Sequence, residues 1–313
     1  MAGLAVSILL HEHAHCAPPG HPESAARLQK IALMLEEKLV SGQTHRIELS
    51  EHGLGPIDRV HDPAYIRGLK EICSRGAGYL DPDTYVSGGS FDASVSVVNA
   101  VLSAIDMVMA EKCSHAFILG RPPGHHAEYK HGMGFCLINN VAVGAQYALD
   151  ECGLKRVAVV DFDVHHGNGT QHAFYDRSEV LFISSHRYPF YPGTGHTSEV
   201  GEADGAGYTL NIPLSAGAGD EEIIARYECE VVPALNRFQP ELLLVSAGFD
   251  ASRADPLGGM NITGAGFLRI GQLLRKAADR WSGGRIVSVL EGGYDEAGNV
   301  ESITKYLEGI GYD

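Results

Sequence analysis

The segment Arg156-Val-Ala-Val-Val-Asp161-Phe-Asp163-Val-His165-His166 indicates which kind of sheet this chain builds. Its first part is a continuous apolar run, which is typical of a parallel strand buried on both faces. Its second part carries two carboxylates and an imidazole at every second position, so these side chains point to one side of an extended chain. The segment therefore predicts a buried strand, Arg156–Asp161, whose carboxyl end bears a polar site.

Similar apolar runs recur along the chain and alternate with helical patterns. The runs that predict further strands are Leu4–Leu10, His115–Leu119, Val180–Ser184, Gly207–Pro213, Leu242–Ser246 and Ile286–Leu290. The segments with apolar residues at helical spacing are Pro22–Leu39, Ser90–Lys112, Ile138–Glu151, Glu221–Phe238 and Gly266–Trp281. This alternation predicts an α/β fold with a mostly parallel central sheet and helices on both faces. Since no linker or repeat divides the chain, we expect a single domain over residues 1–313.

Composition narrows the classes of partner. The chain has 313 residues, of which 44% are hydrophobic, and a formal net charge of −15. Such an acidic protein gains nothing from a phosphate backbone, so direct binding of nucleic acid is disfavoured. The same charge attracts cations such as polyamines or lysine-rich peptides. No membrane-spanning segment is expected, and the oligomeric state stays open, a homo-oligomer included.

The cysteines indicate the compartment. The six cysteines are Cys16, Cys73, Cys113, Cys136, Cys152 and Cys229, and no two of them form a C-x-x-C pair. A chain of this size with scattered cysteines is typical of free thiols in a reducing compartment. We therefore expect a cytoplasmic protein.

Ionisable residues follow several predicted strands. In parallel sheets, ligands bind beyond the carboxyl ends of the strands, so these residues are expected to lie close together. Asp250 follows the strand that ends at Ser246, and Asp161, Asp163 and His165 end the strand described first. Zinc accepts mixed nitrogen and oxygen ligands, and a catalytic zinc uses three of them and a water. This set predicts a metal site.

Two further strand ends supply groups for acid–base chemistry. His125 and His126 form a tandem pair after a Pro-Pro-Gly turn, which suits a general base near a metal-bound water. Tyr294 follows Gly292 and Gly293, and its phenol is able to donate a hydrogen bond to a developing oxyanion. Most of the 16 histidines, His115, His172 and His196 among them, are expected to be structural or surface residues.

Eight segments carry a resemblance to a known family, in the family's order and over most of the chain. They are Arg121–Glu128, Gly134–Cys136, Asn139–Asn140, Asp161–Gln171, Tyr191–Gly195, Ser246–Asp250, Asp255–Gly258 and Glu291–Tyr294. The sequence resembles the zinc-dependent histone deacetylases, within the arginase–deacetylase fold. It looks closest to their class II branch and its bacterial relatives, the histone deacetylase-like amidohydrolases and acetylpolyamine amidohydrolases. The resemblance implies hydrolysis of an acetylated amine.

The resemblance implies a role for each matching position. Asp163, His165 and Asp250 match the zinc ligands, and Tyr294 matches the oxyanion-stabilising tyrosine. His126 matches the general base and acid, His125 its electrostatic partner, and Asp161 and Asn168 the residues that orient this pair. Gly134, Phe135, Tyr191 and Leu257 match the substrate tunnel, with Phe135 and Tyr191 as its aromatic walls. Arg27 matches an arginine near the inner end of the tunnel. A structural potassium ion is implied at Asp161, Asp163, His165, Ser184 and Ser185, largely through backbone carbonyls.

The substrate has two candidates. In the family's polyamine-specific eukaryotic branch a glutamate occupies the position of Leu257, so its absence here favours acetyl-lysine in peptides or proteins. The acidic composition, with Glu12, Asp81 and Asp83 in segments able to reach the pocket rim, keeps acetylated polyamines as the alternative.

Other functions and another metal also fit part of the pattern. An arginase-like ureohydrolase needs two adjacent metals and further bridging aspartates, whereas an inactive acyl-lysine reader would lose a ligand, a histidine or the tyrosine. Iron(II) is an alternative metal, because nitrogen–oxygen sites do not choose metals by affinity alone.

Overall fold

The computed structural model describes residues 3–11, 13–42 and 44–311. Within them, the strands are β1 (Leu4–Leu9), β2 (His45–Arg46), β3 (Gly78–Tyr79), β4 (Tyr85–Val86), β5 (His115–Gly120), β6 (Val157–Asp161), β7 (Val180–Arg187), β8 (Thr209–Leu214), β9 (Leu242–Ala247) and β10 (Ile286–Leu290). Eight of them form a parallel sheet in the order β2-β1-β5-β10-β9-β6-β7-β8. The short strands β3 and β4 pair with each other in antiparallel fashion.

Helices cover both faces of the sheet. They are α1 (Gln29–Val40), α2 (Gly55–Asp58), α3 (Pro63–Ser74), α4 (Ser90–Met109), α5 (Asn140–Asp150), α6 (Asn168–Ala173), α7 (Asp220–Arg226), α8 (Val232–Phe238), α9 (Gly264–Trp281) and α10 (Glu296–Gly309). Helices α1, α7, α8, α9 and α10 contribute to one hydrophobic cluster, and α3, α4 and α5 contribute to the other. This is the predicted single-domain α/β architecture.

All seven predicted strands are confirmed, and no end is displaced by more than three residues. The predicted helix Pro22–Leu39 is wrong in its first part, because Ala25–Leu28 forms a 3-10 turn and the α-helix begins at Gln29. The predicted helix Glu221–Phe238 is interrupted by a π-helical turn at Tyr227–Val231. The interruption has a physical cause, since Pro233 has no backbone N–H to continue the α-helical hydrogen-bond pattern.

Helix α4 is apolar enough to need an explanation. It is the only helix among the described residues whose length and mean hydropathy of 1.5 would suffice to cross a membrane, whereas the sequence predicted no segment of that length. Two thirds of this apolar stretch, 67%, is buried inside the protein, where it packs against α5 and the central sheet. Its composition is therefore explained by its position in the core.

The sheet brings the polar strand ends together. Strand β6 lies between β9 and β7, and Asp161 pairs in register with Ser246 on one side and Ser184 on the other. Strand β10 lies between β9 and β5. Because all five strands run in parallel, the loops that follow them leave the sheet at one edge.

Candidate active site

Three of the predicted site residues form a compact group of potential metal ligands. Donor atoms of Asp163, His165 and Asp250 all lie within 4.8 Å of one another. His165 Nδ1 is 3.0 Å from Asp163 Oδ1 and 3.2 Å from Asp250 Oδ2. Both carboxylates are buried, so the predicted ligands converge on one point at the carboxyl edge of the sheet.

The surroundings of this group fit a cation. Asp250 Oδ2 accepts no hydrogen bond from any described residue, although it is buried. Burial and the neighbouring charge of Asp163 raise the pKa of Asp250 to about 7, which reflects the cost of two buried carboxylates side by side. A Cβ at Gly248 would collide with Asp163, and one at Gly292 with both carboxylates. The chain therefore leaves the carboxylates closely enclosed, with a charge that a bound cation would neutralise.

His125 is held in its protonated form. Its Nδ1 lies 2.9 Å from Asp161 Oδ2, as predicted for this pair. Burial alone would lower the pKa of His125, but the charges of Asp161 and Asp163 outweigh it and raise the value to about 10. His125 therefore contributes a positive charge beside the metal ligands.

His126 is held in its neutral form, although it is the next residue in the chain. Burial, together with the neighbouring imidazoles of His125 and His165, lowers the pKa of His126 well below its usual range. Its Nδ1 is 2.7 Å from Asn168 Oδ1, again as predicted. A neutral imidazole is the form that accepts a proton, so His126 suits a general base.

Tyr294 faces the same cavity from the loop after β10. Its backbone N–H donates to Asp255 Oδ2 at 2.6 Å, which fixes this loop against the loop after β9. Burial and the charge of Asp250 raise the pKa of Tyr294 well above its usual range, so the phenol keeps its proton. Arg27 lies 5.3 Å from the centre of the tyrosine ring and donates to the carbonyls of Glu291 and Gly293.

A cavity of about 270 Å³ leads from the surface to this group. Its lining residues include the four predicted for the substrate tunnel: Gly134, Phe135, Tyr191 and Leu257. The ring of Phe135 lies edge-on to Tyr294 with centroids 5.9 Å apart, and the ring of Tyr191 lies edge-on to His126 at 5.2 Å. The result is a narrow aromatic passage with histidine and tyrosine at its inner end.

Gly134 has a local reason to be glycine. Its φ of 56° lies in the left-handed region. A Cβ here would also press on the ring of His126, 3.0 Å from its Cγ, and on Tyr191 at 3.1 Å. This position therefore allows the passage wall to approach His126 closely.

Sequence reasoning missed several contributors to the site. Phe190 lines the cavity and stacks on His165, with ring centroids 5.2 Å apart. Glu291, quoted only as part of a motif, accepts from the backbone N–H groups of Gly124 and His125 and so positions the histidine loop. Phe190 directly precedes Tyr191, which was predicted to line the tunnel, and this adjacency could have indicated Phe190. The contact of Glu291 is long-range and leaves no spacing pattern.

The residues predicted for a structural potassium ion also lie together. Ser184 and Ser185 are buried within β7, beside the end of β6. Ser185 Oγ donates to the carbonyl of Asp161 at 3.4 Å. This neighbourhood is compatible with the predicted ion, which stays a prediction.

Comparison with known proteins establishes the family. The sequence model of the histone deacetylase domain matches residues 21–310. A probable deacetylase of Archaeoglobus fulgidus is 38% identical over 94% of this chain and 83% of its own. A histone deacetylase-like amidohydrolase of Pseudomonas aeruginosa is 39% identical over 90% of this chain and 74% of its own. The crystal structure of the HDA15 HD domain superimposes with a TM-score of 0.92 at 36% identity, over 99% of this chain and 90% of that one.

The chain belongs to the histone deacetylase family, and it is a deacetylase of the hydrolase class. This confirms the predicted family, fold class and reaction. The family is zinc-dependent in general and acts on acetylated amines. Family membership favours the deacetylase reading over a ureohydrolase or an inactive reader.

Proposed function

We propose that the protein removes acetyl groups from lysine side chains in peptides or proteins, with one zinc ion held by Asp163, His165 and Asp250. The observation that supports this most is the cavity walled by Phe135 and Tyr191, which reaches His165, one of the three converging ligands. An aromatic passage of this kind suits the methylenes of an acylated lysine, because apolar surface packs favourably on aromatic faces.

The proposed chemistry divides among three residues and the metal ion. Zinc, when bound, would supply a Lewis acid for the acyl carbonyl and lower the pKa of a water. Neutral His126 takes the proton of the attacking water and later delivers it to the leaving amine. Protonated His125 adds positive charge beside the developing negative charge. Tyr294 donates a hydrogen bond to the oxyanion, and acetate and a free amine result.

The proposal also includes a potassium ion, an alternative catalytic metal and a cellular compartment. A potassium ion near Asp161, Ser184 and Ser185 would neutralise carboxylate charge behind the catalytic metal. Iron(II) is the alternative to zinc, since availability as well as affinity decides occupancy. The scattered cysteines suit a reducing compartment, which we take to be the cytoplasm. A homo-oligomer remains open.

The rim of the cavity bears on the choice of substrate. Leu257 lines the cavity and is 40% exposed, so this wall offers apolar contact where a polyamine reader would benefit from a carboxylate. Asp83 also lines the cavity, whereas Asp81 turns its carboxylate back to the N–H groups of its own loop. Asp83 is therefore the acidic side chain best placed to attract a cationic substrate. Glu12 lies outside the described residues.

The substrate proposal is tested by comparing specificity constants of the zinc-loaded protein. Acetyl-lysine peptides should exceed acetylputrescine and acetylspermidine in kcat/KM. The variant Leu257→Glu should shift the ratio towards the polyamines, with Leu257→Gln as the uncharged control. A wild-type kcat/KM for an acetylpolyamine a hundred times that for the best peptide would overturn the proposal. Asp83→Asn would then show whether this carboxylate reads the distal amine.

A further inference from the structure

A series of hydrogen bonds runs from His126 to the protein surface. Asn168 Oδ1 lies 2.7 Å from His126 Nδ1, and Asn168 Nδ2 lies 2.5 Å from Glu128 Oε1. The Glu128 carboxylate is in turn 2.7 Å and 2.9 Å from Nδ1 of His172, whose side chain is 50% exposed. The series thus joins a buried base to a histidine for which the sequence predicted no role.

The chemistry of the partners decides which group donates and which accepts in each of these hydrogen bonds. A carboxylate accepts hydrogen bonds, so the amino group of Asn168 must face Glu128. The carbonyl oxygen of Asn168 then faces His126 and accepts, which requires the hydrogen of the neutral imidazole to be on Nδ1. Nε2 is thereby left with its lone pair, which is what a general base needs.

The other acceptors near Asn168 are weaker. Its amino group lies 3.4 Å from the carbonyl of His126 and 3.6 Å from the sulphur of Met133. Neither offers a charged acceptor at short range, and hydrogen bonds to charged groups are about twice as strong as neutral ones. Without Glu128, the amide of Asn168 has little to prevent rotation by 180°, which would present a donor to His126 and favour the wrong tautomer.

We propose that Glu128 is a positioning residue that selects the amide orientation of Asn168 and, through it, the tautomer of His126. His172 holds the Glu128 carboxylate from the solvent side. The inference rests on the proposed role of His126 as general base, and it adds residues that act through Asn168 without contact with the substrate.

The test reverses the chemistry at position 128. Glu128→Lys replaces an acceptor by a donor, so the carbonyl of Asn168 should turn towards the introduced lysine. We expect kcat to fall about 10- to 100-fold, as for loss of one hydrogen bond to a charged group, with KM within threefold. Glu128→Gln is the matched control: its amide oxygen still accepts from Asn168, and kcat should stay within a few-fold of wild type.

Rescue separates this role from a structural one. In the Glu128→Lys background, Asn168→Asp supplies a side chain that accepts from both the lysine and His126, so kcat should recover at least tenfold. Nitrogen-15 NMR of the zinc-loaded protein should show hydrogen on Nδ1 of His126 in wild type and the other tautomer in Glu128→Lys. Zinc content and thermal unfolding of each variant establish that the folded protein is compared.

Failure of the inference differs from failure of the proposed function. His126→Ala should abolish turnover, and a fully active His126→Ala would contradict the proposed base itself. If His126→Ala is inactive but folded Glu128→Lys retains its kcat and its tautomer, only the role of Glu128 is wrong. The same conclusion follows if Asn168→Asp fails to restore activity in the Glu128→Lys background.

Discussion

Two buried groups of charged side chains differ in how the charge of their carboxylates is neutralised. The metal cluster consists of Asp163, His165 and Asp250. The structural cluster consists of His15, Glu23, Arg27, Tyr85 and Arg121. Arg27 belongs to the structural cluster through Glu23, at 3.5 Å, and also lies over the ring of Tyr294.

The carboxylate of the structural cluster is neutralised by other members of the cluster. Both oxygens of the fully buried Glu23 are paired, one at 2.6 Å from Arg121 Nε and the other at 2.8 Å from Arg121 Nη2 and from the hydroxyl of Tyr85. Burial alone would raise the pKa of Glu23, but Arg121 holds it well below its usual range. In the metal cluster, two carboxylates share one imidazole and Asp250 Oδ2 stays without a hydrogen-bond partner among the described residues.

The contrast between the two clusters indicates which buried carboxylates need an external cation. A buried carboxylate that finds a guanidinium inside the protein stabilises the fold. A pair of buried carboxylates without a full set of partners costs stability until a cation binds, and active sites commonly carry such a cost. A substitution in the metal cluster should therefore lower activity without lowering stability. A substitution in the structural cluster should lower stability.

The largest effect is expected for Asp250→Asn. Loss of one of three ligands should lower kcat/KM about a thousandfold or more, because metal activation supplies several kcal/mol of transition-state stabilisation. In the metal-free state, however, this variant should resist urea at least as well as wild type, since it removes one of two neighbouring buried charges. Its amide oxygen is still able to accept from the N–H of Val164. An active variant with a full complement of zinc would show that Asp250 is not a ligand.

Glu23→Gln, in contrast to Asp250→Asn, should lower the stability of the protein. Removing the partner of a fully buried Arg121 is expected to lower the free energy of unfolding by about 3–5 kcal/mol. Because the folded pKa of Glu23 is depressed, its contribution is present above its unfolded pKa of about 4.3 and is lost as the pH falls towards the folded value. Urea titrations at pH 7 and below pH 4 should therefore show the difference between wild type and variant shrinking.

A matched control for this experiment lies on the surface. Glu71 pairs with Arg75, and both side chains are more than half exposed. Glu71→Gln should leave the free energy of unfolding unchanged within error, because exposed ion pairs are screened by water. If Glu23→Gln and Glu71→Gln change the free energy of unfolding equally, the structural cluster does not stabilise the fold.

Tyr294→Phe should have a smaller effect, because it leaves both clusters intact. One hydrogen-bond donor to the oxyanion is lost, so kcat should fall about 100- to 1000-fold while KM changes much less. Zinc content and urea resistance should match wild type. Steady-state kinetics within threefold of wild type would remove Tyr294 from the mechanism.

The sequence predicted the parts of the molecule that depend on short-range patterns. Continuous apolar runs located the strands of the sheet, with Ile286–Leu290 correct at both ends. Alternation after β6 and the rule about strand ends brought together Asp163, His165 and Asp250. Helices α3 and α10 were missed, although their buried residues, such as Ile66 and Leu69 in α3 and Ile303 and Leu307 in α10, lie at helical spacing.

Long-range polar contacts escaped prediction for a different reason. Glu23 and Arg121 are 98 residues apart, and Glu128 meets Asn168 40 residues later in the chain. Nothing in local spacing marks such partners, since the fold alone decides which side chains meet. The same holds for the stacking of Phe190 on His165. The sequence predicted a site role only for the adjacent Tyr191.

Zinc titration of the metal-free protein measures whether the metal cluster binds one activating ion. We expect one zinc ion per chain and recovery of acetyl-lysine hydrolysis in proportion to the zinc bound. Asp250→Asn should show neither at the same zinc concentrations. Full hydrolysis by demonstrably metal-free protein, or two zinc ions required per chain for activity, would contradict it.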